Sequence, residues 1–189
     1  MLDATQPADG VVDFVEVYSA QRNDVVTKLQ NGDPHVQSWN RIAAYDSGLG
    51  RMSRVAHKRA YFWMASEYRA RMGHPLIAAP VWVGFDRENA TQHHQLGPRR
   101  TVEKLLVLQV PRTEILISNY APWESHILWG LCLEHNRDYF EFLERMKCRC
   151  TGRRRRESWR EIFELPPTDT PLQGVMDRIK PEWLLDVIE

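Results

Sequence analysis

A short polar segment follows the apolar run Ile115–Ser118, where Asn119 and Tyr120 precede Trp123. A rigid sheet often delivers side chains to a cleft at a strand end of this kind. The Asn119 amide would then hydrogen-bond an amide or a ribose, and the Trp123 ring would hold a planar group. The alternative is that Ser118 and Asn119 cap a following helix, which Pro122 near its first turn favours. The segment predicts either a binding site or a helix start.

Sulfur and imidazole ligands occur further along the chain. The four candidates, whose number and type suit a tetrahedral structural zinc, are Cys132, His135, Cys148 and Cys150. The Cys-x-Cys spacing fits known zinc patterns less well than Cys-x-x-Cys, and residues 137–147 between the two pairs have the pattern of an amphipathic helix. A zinc site is therefore a weak prediction, and the simpler interpretation is a buried Cys132, an exposed His135 and two partly exposed thiols.

Arginines crowd the segment CRCTGRRRR, which includes Arg149 and the run Arg153, Arg154, Arg155 and Arg156. Each contact of such a side chain with a phosphate would steepen the salt dependence of nucleic-acid binding by about one unit. Glutamates at 157, 161 and 164 can instead pair with them at helical spacing. Lys plus Arg and Asp plus Glu both total 25 in the whole chain. Nucleic acid is therefore expected only through this local run, with a solvated loop as the alternative.

The strands that would carry the polar segment are predicted from two apolar runs, Val102–Val110 and Ile115–Ser118, joined by a turn over Pro111–Glu114. We expect them to form the central pair of a sheet, the first covered on both faces because Leu105 to Leu108 contain no polar position. The other predicted elements are strands over 12–18, 77–85 and 172–179, a helix over 20–30 capped by Ser19, a helix over 51–72 capped by Ser53, and short helices over 122–133, 137–147 and 157–165. In the last helix, Trp159, Ile162 and Phe163 form a stripe that should pack on the sheet.

The longest predicted helix ends at Gly73 and Pro75. Its predicted core positions are Val55, Ala56, Ala60, Trp63, Met64 and Tyr68. Its basic residues are interpreted as a solvated face and include Arg54, His57, Lys58, Arg59, Arg69 and Arg71. Together the elements predict an α+β fold with a mixed or mostly antiparallel sheet, one long helix early and several short helices late.

Length and composition predict one domain over residues 1–189, with 1–11 as a frayed tail. The N-terminal sequence is acidic and polar where a secretory signal would be basic and then apolar, and no segment reaches membrane-spanning length. The chain contains three cysteines, an odd number that does not suit a secreted disulfide framework. A cytoplasmic protein without a membrane partner is therefore expected.

Five short motifs lie in order along the chain: YFWMASEYRARM at 61–72, PVW at 80–82, ILISNYAPW at 115–123, SWREIF at 158–163 and Leu172-Gln173. Together they resemble an uncharacterised bacterial and phage family known only as a domain of unknown function, the 3841 family. The resemblance extends over nearly the whole chain from Val12 onward and implies no activity. Family members usually have Ser-Asp-Phe and then adjacent Trp and His. This chain has Ser118-Asn119-Tyr120 and Trp123-Glu124, so no role of that aspartate or histidine transfers to it.

The order of the elements is also similar to that of the ADP-ribosyltransferase superfamily, whose members grip NAD in a cleft between two small sheets. This resemblance implies that Tyr18 and Gln21 lie by the first strand, that Trp82 offers a stacking face and that Gln173 lies on the last strand. The superfamily usually carries a glutamate two residues later, which stabilises developing oxocarbenium charge. Val175 occupies that position, and a valine can neither stabilise this charge nor orient a ribose. The alternative is that Tyr18, Trp63 and Trp82 are ordinary core aromatics.

Two functions therefore stand as hypotheses. The first is an NAD-binding, ADP-ribosyltransferase-like domain, degenerate at Val175. The second is a non-enzymatic partner-binding domain. An enzyme should bring five polar side chains to one concave site, whereas a binding domain should spread them and expose an apolar patch instead. The five are Gln21, Arg100, Ser118, Asn119 and Gln173. The chain has no Walker, dinucleotide-binding, nucleophile-elbow or zinc-protease motif that would support another common chemistry.

Overall fold

A six-stranded sheet forms the centre of the described structure. The computed structural model describes residues 12–40, 51–88, 90, 103–128, 152–164 and 171–188. The strands are β1 (Phe14–Arg22), β2 (Val81–Gly84), β3 (Glu103–Pro111), β4 (Leu116–Asn119), β5 (Leu172–Met176) and β6 (Leu184–Ile188). Their order is β4-β5-β2-β1-β3-β6, and every pairing is antiparallel. With the helices described below, this arrangement confirms the α+β class.

The longest pairing joins β1 to β3, with Phe14 opposite Pro111 at one end and Arg22 opposite Glu103 at the other. Successive residues of a strand face opposite sides of a sheet. Leu106 and Leu108 accordingly enter one core and Leu105 another, and all three are buried. The prediction that this strand is covered on both faces is confirmed.

The predicted central pair of strands is wrong. β3 has β1 on one side and β6 on the other, while β4 lies at the far edge of the sheet beside β5. The 3-10 turn Arg112–Glu114 does not fold β4 back onto β3, and Arg112 N donates to Asp13 O at 2.8 Å instead. Both edges of β3 are occupied by partners from distant parts of the chain, which leaves β4 no place beside it.

Helix α1 (Asn23–Gln30) begins later than predicted. Ser19 is not its N-cap, because Ser19 and Gln21 still belong to β1, where pairing with β3 outweighs the local capping preference. The end is as predicted. Asn31-Gly32 stops the helix, Gly32 having a φ of 87° and donating its N–H to Leu29 O at 3.0 Å.

Helix α2 (Arg51–Met72) is the long helix expected from the sequence. It has already begun two residues before Ser53, which is therefore not its N-cap. Gly73 terminates it with a φ of 79°. The strand that follows begins after Pro80, one of the two positions that a proline there allows.

The structure describes two helical segments between β4 and β5. Helix α3 (Tyr120–Pro122) continues as a π-turn over Trp123–Ile127, and α4 (Gly152–Ser158) continues as a 3-10 helix over Trp159–Phe163. Trp159 and Ile162 are buried in one core with Leu116 and Val175 of the sheet, which confirms the predicted packing of this stripe. The helix predicted over 137–147 lies outside the described residues. No strand is predicted over Leu184–Ile188, where β6 pairs with β3.

Each face of the sheet carries its own core. One contains Val25 and Leu29 of α1 with Val17 of β1, and the other contains Met64 and Tyr68 of α2 with Val175 of β5. Within the described ranges, no helix has both the length and the apolar character needed to cross a membrane.

Candidate functional site

Three of the predicted site residues share one row across the sheet. Tyr18 of β1 lies opposite Gly84 of β2, Gly84 opposite Gln173 of β5, and Gln173 opposite Ser118 of β4. Directly opposed residues of antiparallel strands project to the same face. Tyr18, Gln173 and Ser118 therefore lie on the face that also carries Val175, the face covered by α2.

Gly84 divides this row. A Cβ at Gly84 would lie 3.1 Å from both the backbone nitrogen and the Cβ of Ala90, so the chain at residue 90 occupies the space above the glycine. Tyr18 and Gln173 consequently lie on either side of the Ala90 segment. Tyr18 donates its hydroxyl to Glu16, and this hydrogen bond raises the pKa of Tyr18.

Gln173 and Ser118 form a closed pair. The Gln173 Nε2 donates to the Ser118 Oγ at 3.3 Å, and the two residues are only 3% and 2% exposed. Burial of polar groups is tolerated when they bond to each other. The pair stabilises the join between β5 and β4, and neither side chain faces solvent.

Gln21 and Asn119 point elsewhere. Gln21 Nε2 donates to Ser19 Oγ at 3.0 Å, and Ser19 Oγ donates to Trp82 O at 2.9 Å, on the side of β1 that carries Val17 and α1. Asn119 Oδ1 accepts from Ala121 N at 3.2 Å and caps α3, as the capping alternative predicts. The structure therefore does not bring Gln21, Ser118, Asn119 and Gln173 to one site.

Trp82 and Trp123, the predicted stacking residues, do meet. Their ring centroids are 4.7 Å apart, and Tyr61 of α2 packs edge-on against them at 6.0 Å and 5.8 Å. The Trp82 Nε1 is buried and has no hydrogen-bond partner among the residues that the structure describes. Rings at these separations fill the space between one another, so they form a packed trio and not an open slot for a planar ligand.

Two tyrosines on this face have raised pKa values. Burial raises the pKa of Tyr68 to about 12, and burial together with a hydrogen bond to Glu124 raises the pKa of Tyr120. Val175, at the position of the expected glutamate, is fully buried opposite Trp82 and Leu116. The side chain at position 175 therefore does not contact solvent.

Several predicted residues lie outside the described residues. They are Arg100, Cys132, His135, Cys148, Arg149 and Cys150. In the part of the chain that the structure describes, no group of three or more His, Cys, Asp or Glu side chains could hold a metal ion.

Helices α2 and α4 meet along a line of aromatic and charged residues that we call the α2–α4 seam. Trp63 contacts Trp159 with ring centroids 5.2 Å apart, and the Glu67 carboxylate lies one turn further along α2. This carboxylate, only 8% exposed, accepts from Arg160 Nε at 3.0 Å and from Arg71 Nε at 3.4 Å. The Arg71 guanidinium also lies 4.1 Å from the Phe163 ring centroid. Two guanidinium groups thus share one carboxylate at this end of the seam.

The opposite end of the seam contains several positively charged side chains. Arg59 precedes Trp63 by one helical turn, and Arg155 precedes Trp159 by one turn, its guanidinium 5.8 Å from the Trp159 ring centroid. Burial lowers the pKa of Arg155, and the nearby charges of Arg59 and Arg156 lower it further. Arginines from two helices that are distant in sequence therefore share one small region.

Beside these arginines lies the outer face of α2, by which we mean Arg54, Val55, Lys58, Arg59 and Phe62. Phe62 is 51% exposed and Val55 45%. Trp39 stacks on Phe62 with centroids 4.9 Å apart and an angle of 26°, and Lys58 Nζ lies 5.7 Å from the Phe62 ring centroid. The face is basic and aromatic together.

The prediction that Val55 belongs to the core is wrong. Val55 and the buried Ala60 are five positions apart, which places them on nearly opposite sides of a helix with 3.6 residues per turn. The exposed Trp39–Phe62 stack is not predicted from the sequence either. The usable signal was the seven-residue spacing of Val55 and Phe62, which puts two large apolar side chains on the basic side of the helix.

Comparison with known proteins adds one finding. The family model described as Domain of unknown function (DUF3841) matches residues 16–185. No curated protein and no solved structure matches the chain.

Proposed function

The chain belongs to this family of unknown function, and from the surface of its described part we propose that it is a non-enzymatic domain that docks an anionic polymer on the outer face of α2. The observation that carries the proposal is the composition of that face. Two half-exposed apolar side chains alternate there with three cations. From Arg51 to Ser66 the sequence contains no acidic residue, and Glu67, the first acid, is buried against α4.

A local field of this kind needs no net charge on the whole molecule. The chain is neutral overall, yet charges within about 10 Å of one another act together at physiological salt. Large apolar side chains exposed next to such charges are typical of interaction surfaces. An anionic partner would neutralise Arg54, Lys58 and Arg59 and at the same time cover Val55 and Phe62.

The polar residues that could carry catalysis support a binding role. Gln173 and Ser118 bond each other inside the fold, Asn119 caps α3, and Gln21 lies on the opposite face of the sheet. An enzyme of the predicted kind would need these groups together and open to solvent.

Heparin, an anionic polymer without bases, is the probe for this proposal. We expect the protein to be retained on a heparin column and to elute with added salt, and the double variant Arg54→Glu, Lys58→Glu to elute far earlier. The matched control is Lys28→Glu, an exposed lysine of α1 on the other side of the sheet, which should elute almost as the unmodified protein does. Equal losses in both variants, or no retention of the unmodified protein, would overturn the proposal.

The second candidate remains the NAD-binding, ADP-ribosyltransferase-like domain. Two observations favour it: the shared row of Tyr18, Gln173 and Ser118, and the buried Trp82 Nε1, for which the described residues supply no hydrogen-bond partner. Titration of NAD against the unmodified protein, Asn119→Ala and Gln173→Ala tests it. Binding lost in Gln173→Ala but kept in Asn119→Ala would support a site on this row, since Asn119 only caps a helix. No binding to the unmodified protein would eliminate it.

A further inference from the structure

Val55 and Phe62 lie on one line along the outer face of α2. They are seven positions apart, which is nearly two full turns of a helix, so the two side chains project in almost the same direction from Cα atoms about 10 Å apart. Both side chains are about half exposed. The surface therefore presents two apolar side chains at the spacing with which one helix repeats its contacts with another.

Exposed cations lie on both sides of this line. Arg54 and Lys58 lie on one side of it and Arg59 on the other, as the geometry of an α-helix requires. None of the ion pairs that join two described residues includes any of these three side chains. Their charges are therefore available to a partner that carries carboxylates along both edges of its apolar side.

We propose that the anionic polymer is an acidic amphipathic helix of a partner protein, which packs along α2 with apolar side chains on Val55 and Phe62 and carboxylates beside Arg54, Lys58 and Arg59. This inference rests on the proposed function and names its partner. Recognition of one helix by another commonly uses anchors seven residues apart.

The first reason is the aliphatic side chain in this surface. Nucleic acids and sulfated polysaccharides bind proteins through their charges, and nucleic acids also through bases that stack on aromatic rings. Val55 offers neither a charge nor a ring, so its removal from water requires an apolar side chain from the partner. A second apolar side chain, seven residues along the same partner helix, would cover Phe62.

The second reason is that the Phe62 ring is already held in position. Trp39 stacks on it with ring centroids 4.9 Å apart, and Lys58 Nζ lies 5.7 Å from its centroid. A side chain that is ordered before binding loses little conformational freedom when a partner packs against it. Phe62 is therefore suited to anchor a second protein.

The third reason is the surface that α2 presents beyond Phe62. Ser66 and Ala70 are exposed and small, and Arg69 adds another exposed cation. Small side chains let two helices approach closely along their length. A partner helix can thus follow α2 toward its end at Met72 without meeting a bulky side chain at these positions.

Fluorescence anisotropy with two fluorescein-labelled acidic peptides provides the test. The spaced peptide, about twenty residues of Glu, Ala and Leu, has Leu at every seventh position and Glu beside it, and this length lets an isolated helix form. The scrambled peptide has the same composition and charge without the seven-residue spacing. Heparin and single-stranded oligo(dT) are the other probes. We expect the spaced peptide to bind about tenfold more tightly than the scrambled one.

Variants of the surface separate apolar contact from charge. Val55→Ser and Phe62→Ser keep every charge, and each should weaken binding of the spaced peptide about tenfold while heparin retention stays unchanged. Lys58→Glu should weaken binding of both probes. The matched control is Leu185→Ser in β6, which removes an apolar side chain that is 54% exposed and should change neither.

The outcomes distinguish the two proposals. No binding of the spaced peptide, or equal binding of both peptides with no effect of Val55→Ser and Phe62→Ser, would overturn the helix inference and leave the anionic-polymer function standing if heparin still binds. Tighter binding of oligo(dT) than of the spaced peptide would do the same and identify a nucleic acid as the partner. Absence of binding to heparin and to every other probe would overturn both proposals. A loss in Leu185→Ser as large as that in Phe62→Ser would show adhesion without a site and overturn the inference.

Discussion

The two ends of the α2–α4 seam contain the same cation in different surroundings. At one end Arg71 and Arg160 share the buried carboxylate of Glu67. At the other, Arg59, Arg155 and Arg156 approach each other beside α2, which has no acidic residue before Glu67. One end therefore holds a carboxylate that two arginines share, whereas at the other end the charges that lower the pKa of Arg155 are those of two further arginines. The position of Glu67 along α2 distinguishes the two ends.

Packing holds the two ends at a fixed separation. Trp63 lies between Arg59 and Glu67 along α2 and contacts both Trp159 and Phe163. The Trp63–Trp159 contact holds together the two chain segments that carry Arg59 and Arg155. Removing this contact is therefore the most direct way to change both ends of the seam.

Trp159→Ala should have the largest effect. It removes a ring that is buried against Trp63 and the sheet, and we expect a loss of about 3–5 kcal/mol in the free energy of unfolding. Urea denaturation measures it. The control, Trp39→Ala, removes a partly exposed ring and should cost much less. Equal effects of the two variants would mean that the seam does not anchor α4.

The burial of Tyr68 in the core between α2 and the sheet should affect stability in alkali. Burial raises the pKa of Tyr68, the neighbour of Glu67, to about 12 from the ordinary value of 10.0. The folded state then holds a proton that the unfolded state releases, so stability that is fully present below pH 10 should be lost as the pH rises to 12. The loss should be at most about 2–3 kcal/mol. Denaturation across this range should show a shallower decline in Tyr68→Phe, and identical curves for the two proteins would contradict the assignment.

Glu67→Gln removes the negative charge from the end of the seam that contains Arg71 and Arg160. Arg71 and Arg160 lose their shared carboxylate but remain partly in water, so we expect a destabilisation of about 1–2 kcal/mol, smaller than that for a fully buried pair. Glu157→Gln, which breaks the exposed pair with Arg153, is the control and should cost less than about 0.5 kcal/mol. Thermal or urea denaturation of the two variants compares them, and a cost for Glu67→Gln no larger than the control would show that the seam gains nothing from its carboxylate.

Arg59→Glu introduces a negative charge at the other end of the seam, and it should have the smallest effect on stability. A carboxylate facing Arg155 and Arg156 replaces repulsion by attraction, and we expect a gain of about 0.5–1 kcal/mol that fades in high salt because the site is near the surface. Urea denaturation at low and high salt measures it. The Arg59→Glu variant should also bind an anionic polymer less tightly than the unmodified protein does. A destabilised Arg59→Glu would mean that the arginines at this end do not repel each other.

The elements that the sequence predicts well are those decided by neighbouring residues. The unbroken apolar run Leu105 to Leu108 indicates a strand with two covered faces, and Gly73 marks the end of α2 because it alone readily adopts a positive φ there. The stripe of Trp159 and Ile162 indicates which side of the helix must be buried. In each case the information lies within a few residues.

Strand partners are a different matter. β4 has the composition of a hairpin partner for β3, yet its place beside β5 depends on a segment that lies 55 residues away, as the bond between Gln173 and Ser118 shows. Ser19 has the local character of a helix cap, and only its pairing with Leu106 of β3 keeps it in a strand. Pairing across such distances leaves no local pattern to recognise.

The candidate surface likewise contains features that neighbouring residues predict and features that depend on distant segments. Asn119 could be identified as a cap from Pro122 alone, and the basic side of α2 is visible in its sequence. The meeting of Arg59 with Arg155 is not, because it requires α4 to lie along α2 through Trp63 and Trp159. Gln21 lies apart from Gln173 and Ser118 for a related reason: its place in β1, and not in the predicted helix, puts it on the α1 side of the sheet.

The central position of β1 has a consequence for how the chain is made. Its partners are β3 and β2, both encoded well downstream, and Ser19 bonds to Trp82 across 63 positions. A ribosome adds roughly 5–20 residues per second, so β1 would wait for several seconds after its synthesis before β2 and β3 emerge. Throughout that interval the apolar residues Val15 and Val17 are without their permanent neighbours. A strand at the middle of the finished sheet thus exposes apolar side chains during translation until its partner strands have been synthesised.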